Sequence, residues 1–415
     1  MYMFLPSPVW LLGALAAALF SLPAAALTLD EALRLAEYEA PSLTAQAAQV
    51  ESARNLAIPA GELPDPKLLL GLQNVPVEGN NRGRFDAEPM TMQMLGVMQE
   101  VPSRAKRKAR VEVAEAGVKR ATQEQHVERL KVRRETALAW IEALGIEQKL
   151  ALFSDLYAEN NLLAKAVSAR ISAGRGATAD SIGPKQEAAL LAEQEDQLTQ
   201  QRVQQRATLR RWVGPRGDES LAGPLPNWPV DAAHYQHNLQ RHPELALYEP
   251  MAVEAQAEIR QAVAEKTPDW SWQLAYQNRD AAFGDMLSVQ VSFDLPLFPA
   301  SRQSPRIAAK QAQLNQLEAE RAAAEREHAQ QLAIDLAEYQ RLERALRRSQ
   351  GSLLPLAEEK VALSLADYRS GAGELASVIA ARRELIETRL KHIDFAQARA
   401  LTSARLYFAY EGAEQ

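Results

Sequence analysis

The chain contains no cysteine, which excludes disulfides, thiolate metal sites, thiol catalysis and a lipidated N-terminal cysteine. Aromatic residues make up only 6%, a level that suits Ala/Leu helical seams better than a large mixed core. The formal net charge of -6 gives a nucleic-acid partner no overall electrostatic support. Beyond Ala26 no stretch reaches the roughly twenty apolar residues of a spanning helix. Any membrane span must therefore be built from strands. There is also no phosphate loop, no paired-His zinc motif and no nucleophile elbow. Nothing in the chain points to catalysis, and no cofactor is expected.

What is present begins with an uncharged segment, Met1 to Ala26. Its apolar run, Val9 to Phe20, leads into Ser21-Leu22-Pro23-Ala24-Ala25-Ala26. Small residues at Ala24 and Ala26 fit a signal-peptide cleavage site, with a mature start near Leu27. The alternative is an uncleaved membrane anchor. Thr28-Leu29-Asp30-Glu31 then has the capping-box pattern, and a helix bent at Pro41 is expected to run to about Ile58.

The dominant stretch is Ser103 to Ala173. It is rich in strong helix formers, with no proline and with Gly117 and Gly145 as its internal glycines. At about 1.5 Å per residue it predicts a rod of about 100 Å. It ends at Arg170-Ile171-Ser172-Ala173-Gly174-Arg175-Gly176, and a second helical run returns from Ala177 to Trp212. Strands are expected at Lys67–Asn74 and Thr91–Val101, on either side of an exposed loop from Val75 to Glu88. Gly214 to Pro229 carries four prolines and three glycines and marks the end of the first half.

The second half repeats the first. Pro64-Asp65 followed by Gln73-Asn74 matches Pro268-Asp269 followed by Gln277-Asn278. Val97, Val101 and Pro102 match Val291, Leu295 and Pro296, and Gly174-x-Gly176 matches Gly371-x-Gly373. The organisation reads as a signal peptide over 1–26, a first repeat over 27–222, a linker over 223–231 and a second repeat over 232–415. Each repeat is helix, strand, loop, strand, long helix, tight turn, helix. The second long helix, about Ser304 to Ser370, carries a heptad seam through Leu332, Asp335, Tyr339, Leu342, Leu346, Ser349, Leu353 and Leu356. Pro355 within it would kink the helix or remove one hydrogen bond.

Second-repeat strands are expected at Trp270–Asn278 and Leu287–Leu295. Trp270, Trp272, Leu274 and Tyr276 share one face, and Ser271, Gln273, Ala275 and Gln277 the other. Leu287, Val289, Val291, Phe293 and Leu295 alternate with Ser288, Gln290, Ser292 and Asp294. This is the apolar-out, polar-in pattern of a transmembrane β-barrel. Four short strands cannot close a wide barrel, so they form a small sheet or are shared among copies of the chain.

Duplicated helical hairpins, two strands per repeat and a signal peptide together resemble the TolC family of outer-membrane efflux channels, over essentially the whole mature chain. Arg170-Ile171-Ser172-Ala173-Gly174 resembles the family's Arg-Tyr-x-x-Gly turn, with Ile171 in place of Tyr. Tyr368-Arg369-Ser370-Gly371 keeps Tyr and Gly, with Asp367 where Arg is usual. Arg104 to Val111 resembles the basic segment after the second strand in the heavy-metal branch, although Pro102-Ser103 replaces the usual Gly-Gly. The resemblance implies a mainly α fold with a small β part. Three chains would share a twelve-stranded outer-membrane barrel and a periplasmic α-barrel. It also implies a homotrimer that docks a periplasmic adaptor and an inner-membrane RND-type pump, conducts heavy-metal cations and performs no chemistry. Drug efflux, type I secretion or a periplasmic coiled-coil adaptor are the alternatives.

The candidate sites follow. Arg170, Gly174, Gly176, Tyr368, Gly371 and Gly373 are adaptor-docking tips under the resemblance and plain helix ends otherwise. Arg104, Lys106, Arg107, Lys108 and Arg110 lie just beyond a strand end, where they would meet anionic lipid headgroups in the outer membrane. Met94 and Met98 share a strand face and could offer soft thioethers to a metal. His234 and His237, at i and i+3, could share a helix face.

Overall fold

The computed structural model describes residues 26–410; the expected signal peptide lies almost wholly outside them. Helix α1 spans Leu29–Glu39. Thr28 closes its capping box: the Thr28 hydroxyl accepts from the Glu31 backbone N–H (3.3 Å), and the Glu31 carboxylate accepts from the Thr28 N–H (3.1 Å). The Thr28 N–H and the Thr28 hydroxyl, which also donates to this carboxylate (3.1 Å), hold the Glu31 carboxyl below its usual range. Ala40 is extended, with ψ 116°, because Pro41 disfavours the helical region for the residue before it. The chain then resumes as α2 (Pro41–Ala57).

Next come β1 (Lys67–Gln73), β2 (Met92–Val101) and the 69-residue α3 (Arg104–Ser172). The return helix α4 covers Gly183–Val213. Short helices α5 (Ala232–His237) and α6 (Pro243–Ala246) precede α7 (Tyr248–Ala264). The second repeat continues through β3 (Trp270–Asn278), β4 (Met286–Phe293), α8 (Gln303–Arg348), α9 (Leu354–Ser370) and α10 (Leu375–Tyr410). Each half of the chain thus runs through helices, two strands, a long helical stretch and a return helix. The last strand begins one residue earlier than expected and ends before Leu295-Pro296.

The described residues form two compact units that cut across the repeats. One unit comprises Ser42–Glu128 and Asn238–Gln330. It holds a single antiparallel sheet in the order β1-β2-β3-β4. The two repeats meet at β2 and β3, where Val97 faces Leu274 and Met98 faces Gln273. Among the described residues β1 and β4 each pair with one strand, which leaves both outer edges of the sheet open.

The other unit comprises the described residues up to Pro41, Arg129–His237 and those from Gln331 onward. Its core includes Trp140, whose indole N–H donates to the Leu27 carbonyl (3.1 Å). The proline-rich linker is docked here rather than free: Trp228 stacks on Tyr407, ring centroids 5.3 Å apart.

The seam of the second hairpin changes phase. Leu332, Asp335, Leu342 and Ser349 are buried as the heptads predict, but Leu353 and Leu356 are 51% and 60% exposed. A π-helical turn over Ser349–Leu353 separates α8 from α9. Its extra residue rotates the following helix, so Ala357 is buried in place of Leu356. Pro355 falls at the start of α9, where a missing N–H costs least. The proline is thus absorbed by a local rewinding of the helix.

Candidate functional site

The two hairpin turns meet in one small core. Leu163, Val167, Tyr368, Leu375 and Val378 are buried together, with Ile171, Leu365 and Ile379 packed against them. Ile171, the residue that replaces Tyr in the first turn, therefore contributes packing. Both turns are closed by a glycine in the left-handed region, Gly174 at φ 70° and Gly371 at φ 86°. An L-side chain is strained at such a position. Helix α3 ends with the Gly174 N–H on the Ile171 carbonyl (2.9 Å) and the Arg175 N–H on the Arg170 carbonyl (2.9 Å). Helix α9 ends with the Asp367 carbonyl accepting from Ala372 (2.9 Å) and Gly373 (3.0 Å).

Of the other two tip glycines, Gly373 acts by closeness. A Cβ there would lie 3.0 Å from Asp367 Cβ, whereas one on Gly176 would make ordinary contact with Ile171 at 3.4 Å. Asp367, standing where the family turn has Arg, thus works through its backbone.

Arg170 does not project free from the first turn. Its guanidinium lies over the Tyr368 ring, 4.0 Å from the centroid. It donates to the carbonyls of Tyr368 and Arg175, the latter at 3.1 Å. Behind the tip, Arg382 is buried and donates to the Glu159 carbonyl (3.0 Å), with Glu187 at 3.9 Å. Burial pushes the Glu187 carboxyl up, and Arg382 offsets part of that shift. No local pattern in the sequence marks this pair.

In the other unit, one sheet face is apolar along its length. Leu68, Val97, Leu274 and Val289 form one cross-strand row, and Leu70, Leu95, Tyr276 and Leu287 the next. Trp270, Trp272, Val291 and Phe293 extend the face. All twelve of these side chains are 36–72% exposed on the single chain. The opposite face carries Ser271, Gln273, Gln277, Ser288 and Gln290, with Ser288 donating to Gln277 (3.0 Å).

Met94 and Met98 lie on this polar face, opposite Gln277 and Gln273. Four residues of strand separate them by about 13 Å, too far to share one ion. The Met94 sulfur accepts from the Gln73 amide (3.2 Å). His234 and His237 sit exposed on α5. Among the described residues, the cluster with metal-ligand spacing is instead His242, Glu244 and His328.

The basic segment divides. Arg104 and Lys108 are exposed, and Arg107 and Arg110 are half-buried. Lys106 corrects the expectation of a lipid contact. Its side chain is only 8% exposed and donates to Asp269 (2.8 Å), with Glu265 at 3.6 Å. Asp269 also accepts from the Ser103 backbone N–H at 2.8 Å. A buried, paired ammonium is unavailable to a headgroup. Asp269 belongs to the repeated Pro-Asp motif, whose spacing does not reveal this partner.

Residues 234–410 match the family model described as outer membrane efflux protein. No curated protein sequence matches the chain. Among solved structures it is similar to a membrane protein from Pseudomonas aeruginosa, with TM-score 0.78 and 17% identity over 92% of this chain and 90% of that one. It is similar to CusC, with TM-score 0.78 and 16% identity over 92% and 91%. It is also similar to the outer membrane protein VceC of Vibrio cholerae, with TM-score 0.76 and 18% identity over 93% and 95%. Long helical hairpins and a four-stranded antiparallel sheet are the fold that these likenesses show. No described helix is long and apolar enough to cross a membrane.

Proposed function

We propose that the chain is the outer-membrane channel of a tripartite efflux system. The observation that carries this is the sheet: one exposed apolar face, one polar face and two open edges. A monomeric soluble protein rarely exposes so large an apolar patch, and open edges invite pairing. Three copies would join edge to edge into a twelve-stranded barrel with lipid on the apolar face. The helical hairpins would extend into the periplasm as a tunnel, their turns docking an adaptor that links to an RND-type inner-membrane pump.

The repeat also supplies the register between copies. Val97 corresponds to Val291, and Leu274, through the Pro-Asp motif, to Leu70. Transferring the observed Val97–Leu274 pairing sets Val291 of one copy opposite Leu70 of the next. By the same step Ser292 faces Leu69. The homotrimer is tested by the mass of the detergent-solubilised protein; a stable monomer would refute it.

The cargo proposed is heavy-metal cations, on the likeness of Arg104–Val111 to the basic segment of that branch. Exposed Arg104 and Lys108 remain available to anionic headgroups at about 1 kcal/mol each near the surface. Deleting the gene should sensitise cells to heavy-metal ions more than to dyes or detergents. Unchanged metal tolerance with new drug sensitivity would assign the channel to drug efflux.

A further inference from the structure

His242 and His328 are far apart in sequence but adjacent in the fold. His242 precedes α6 and caps it, its Nδ1 accepting from the Glu244 backbone N–H at 3.3 Å. His328 comes from α8. The two imidazoles lie almost face to face, centroids 4.0 Å apart and planes 36° apart. The Glu244 carboxylate reaches 3.4 Å from His328 Nε2. One ligand atom from each of the three residues falls within 4.8 Å of the others. His242 is buried, His328 is half-buried and Glu244 is exposed. All three belong to the compact unit that holds the sheet.

We propose that His242, Glu244 and His328 form a binding site for one divalent transition-metal ion of the zinc class. In a tetrahedral site with bonds of roughly 2.0–2.2 Å, ligand atoms stand about 3.4 Å apart. Glu244 and His328 already keep that spacing. His242 is the anchored ligand, held in place by the turn into α6. Glu244, being exposed, can swing to complete the triangle. Binding takes over one nitrogen of His242, and the bond it gives up or bends, that from the Glu244 N–H, is long and weak.

Two imidazoles and one carboxylate make three protein ligands, leaving a fourth position open to water. The donor set selects for Zn²⁺, Ni²⁺ or Cu²⁺. It disfavours Mg²⁺ and Ca²⁺, which want oxygen throughout, and Cu⁺ and Ag⁺, which want sulfur. A bound ion would tie the start of α6 to α8. The site stands on these residues alone and does not depend on what the channel conducts.

The test uses the full-length protein in detergent, stripped with a chelator and dialysed against zinc chloride, with zinc counted per chain. Co²⁺ serves as a second probe, because tetrahedral coordination gives it an intense visible absorption. Wild type is expected to retain one zinc per chain and to melt at a higher temperature with zinc than without. Glu244→Gln and His328→Ala should bind zinc weaker by roughly a hundredfold or more and lose the zinc-dependent shift. His234→Ala and His237→Ala should bind as wild type does.

Glu244 is exposed, so Glu244→Gln should melt as wild type does in the absence of zinc. It therefore decides the matter even if His328→Ala fails to fold. Equal zinc retention by wild type and Glu244→Gln, or no zinc on wild type, would overturn the site. Neither result bears on export, since no transport phenotype is read.

Discussion

The Arg170 guanidinium sits 4.0 Å from the centre of the Tyr368 ring and donates to the Tyr368 carbonyl. The last turn of the first hairpin is thereby bolted to the last turn of the second. Any change that opens one turn must break or carry along the other. An adaptor that grips the tips would be read through this pair even if it touched neither residue.

Substitutions at the turns should therefore uncouple efflux without dismantling the assembly. Gly371→Val forces a β-branched residue to φ 86°, a strain of about 1–3 kcal/mol. Arg170→Glu removes the stacked cation and places a carboxylate beside the Tyr368 carbonyl. Both variants should leave membrane-inserted protein at normal abundance and abolish efflux-dependent resistance. Full resistance in both, at normal adaptor levels, would make these residues ordinary helix ends.

Tyr368 separates ring from hydroxyl. Its hydroxyl is buried with no hydrogen-bond partner among the described residues, whereas its ring carries Arg170 and the tip core. Tyr368→Phe should be neutral or slightly stabilising, because it removes an unsatisfied polar group. Tyr368→Ala should destabilise the hairpin by about 3–5 kcal/mol. Protease sensitivity of the turns, compared across the two variants, checks this; equal sensitivity would contradict it.

Asp269 is expected to be the most sensitive charged residue next to the sheet. Asp269→Ala would strip the buried Lys106 of its nearest counter-charge and leave the Ser103 N–H unbonded. The cost is roughly 3 kcal/mol, with Glu265 retaining part of the interaction. Denaturant unfolding of the purified protein should show it. Lys108→Ala, whose charge is exposed, should change stability by less than about 0.5 kcal/mol.

Acid should loosen the π turn. His392 packs against Ser349 at its start, Nδ1 to Oγ 3.1 Å, and burial holds its pKa below the ordinary 6.5. The folded state thus gives up the proton more readily than the unfolded state. The resulting stability is fully present above pH 6.5 and is lost as pH falls through the lowered value. Melting temperatures at pH 7.5 and pH 5 should differ more for wild type than for His392→Gln. An identical pH response would show that His392 titrates as a free imidazole.

How much could be read in advance depended on how local each feature is. The capping box at Thr28, the alternation in β3 and β4, the glycine turns and the repeat are written in neighbouring residues, and the fold follows them. Pro355 announced a disturbance, but not that a π turn would shift the seam and expose Leu353 and Leu356. That outcome depends on which helices pack alongside. Lys106 looked like a headgroup ligand because its partner Asp269 arrives from the other repeat. His242 lies near His234 and His237 in sequence, whereas its company in the fold is Glu244 and His328, the latter brought up from α8. Contacts between distant segments are fixed by tertiary structure and leave no trace in spacing.

The central claim is that three copies close one barrel through β4 and β1, and the absence of native cysteine lets it be tested cleanly. The transferred register sets Ser292 of one copy beside Leu69 of the next. The double variant Ser292→Cys, Leu69→Cys should therefore run, after oxidation in membranes, as a covalent trimer on a denaturing gel and return to monomer with reductant. Each single variant should stay monomeric. If the oxidised double variant stays monomeric, or forms an open-ended ladder instead of stopping at three, the barrel proposed here is wrong.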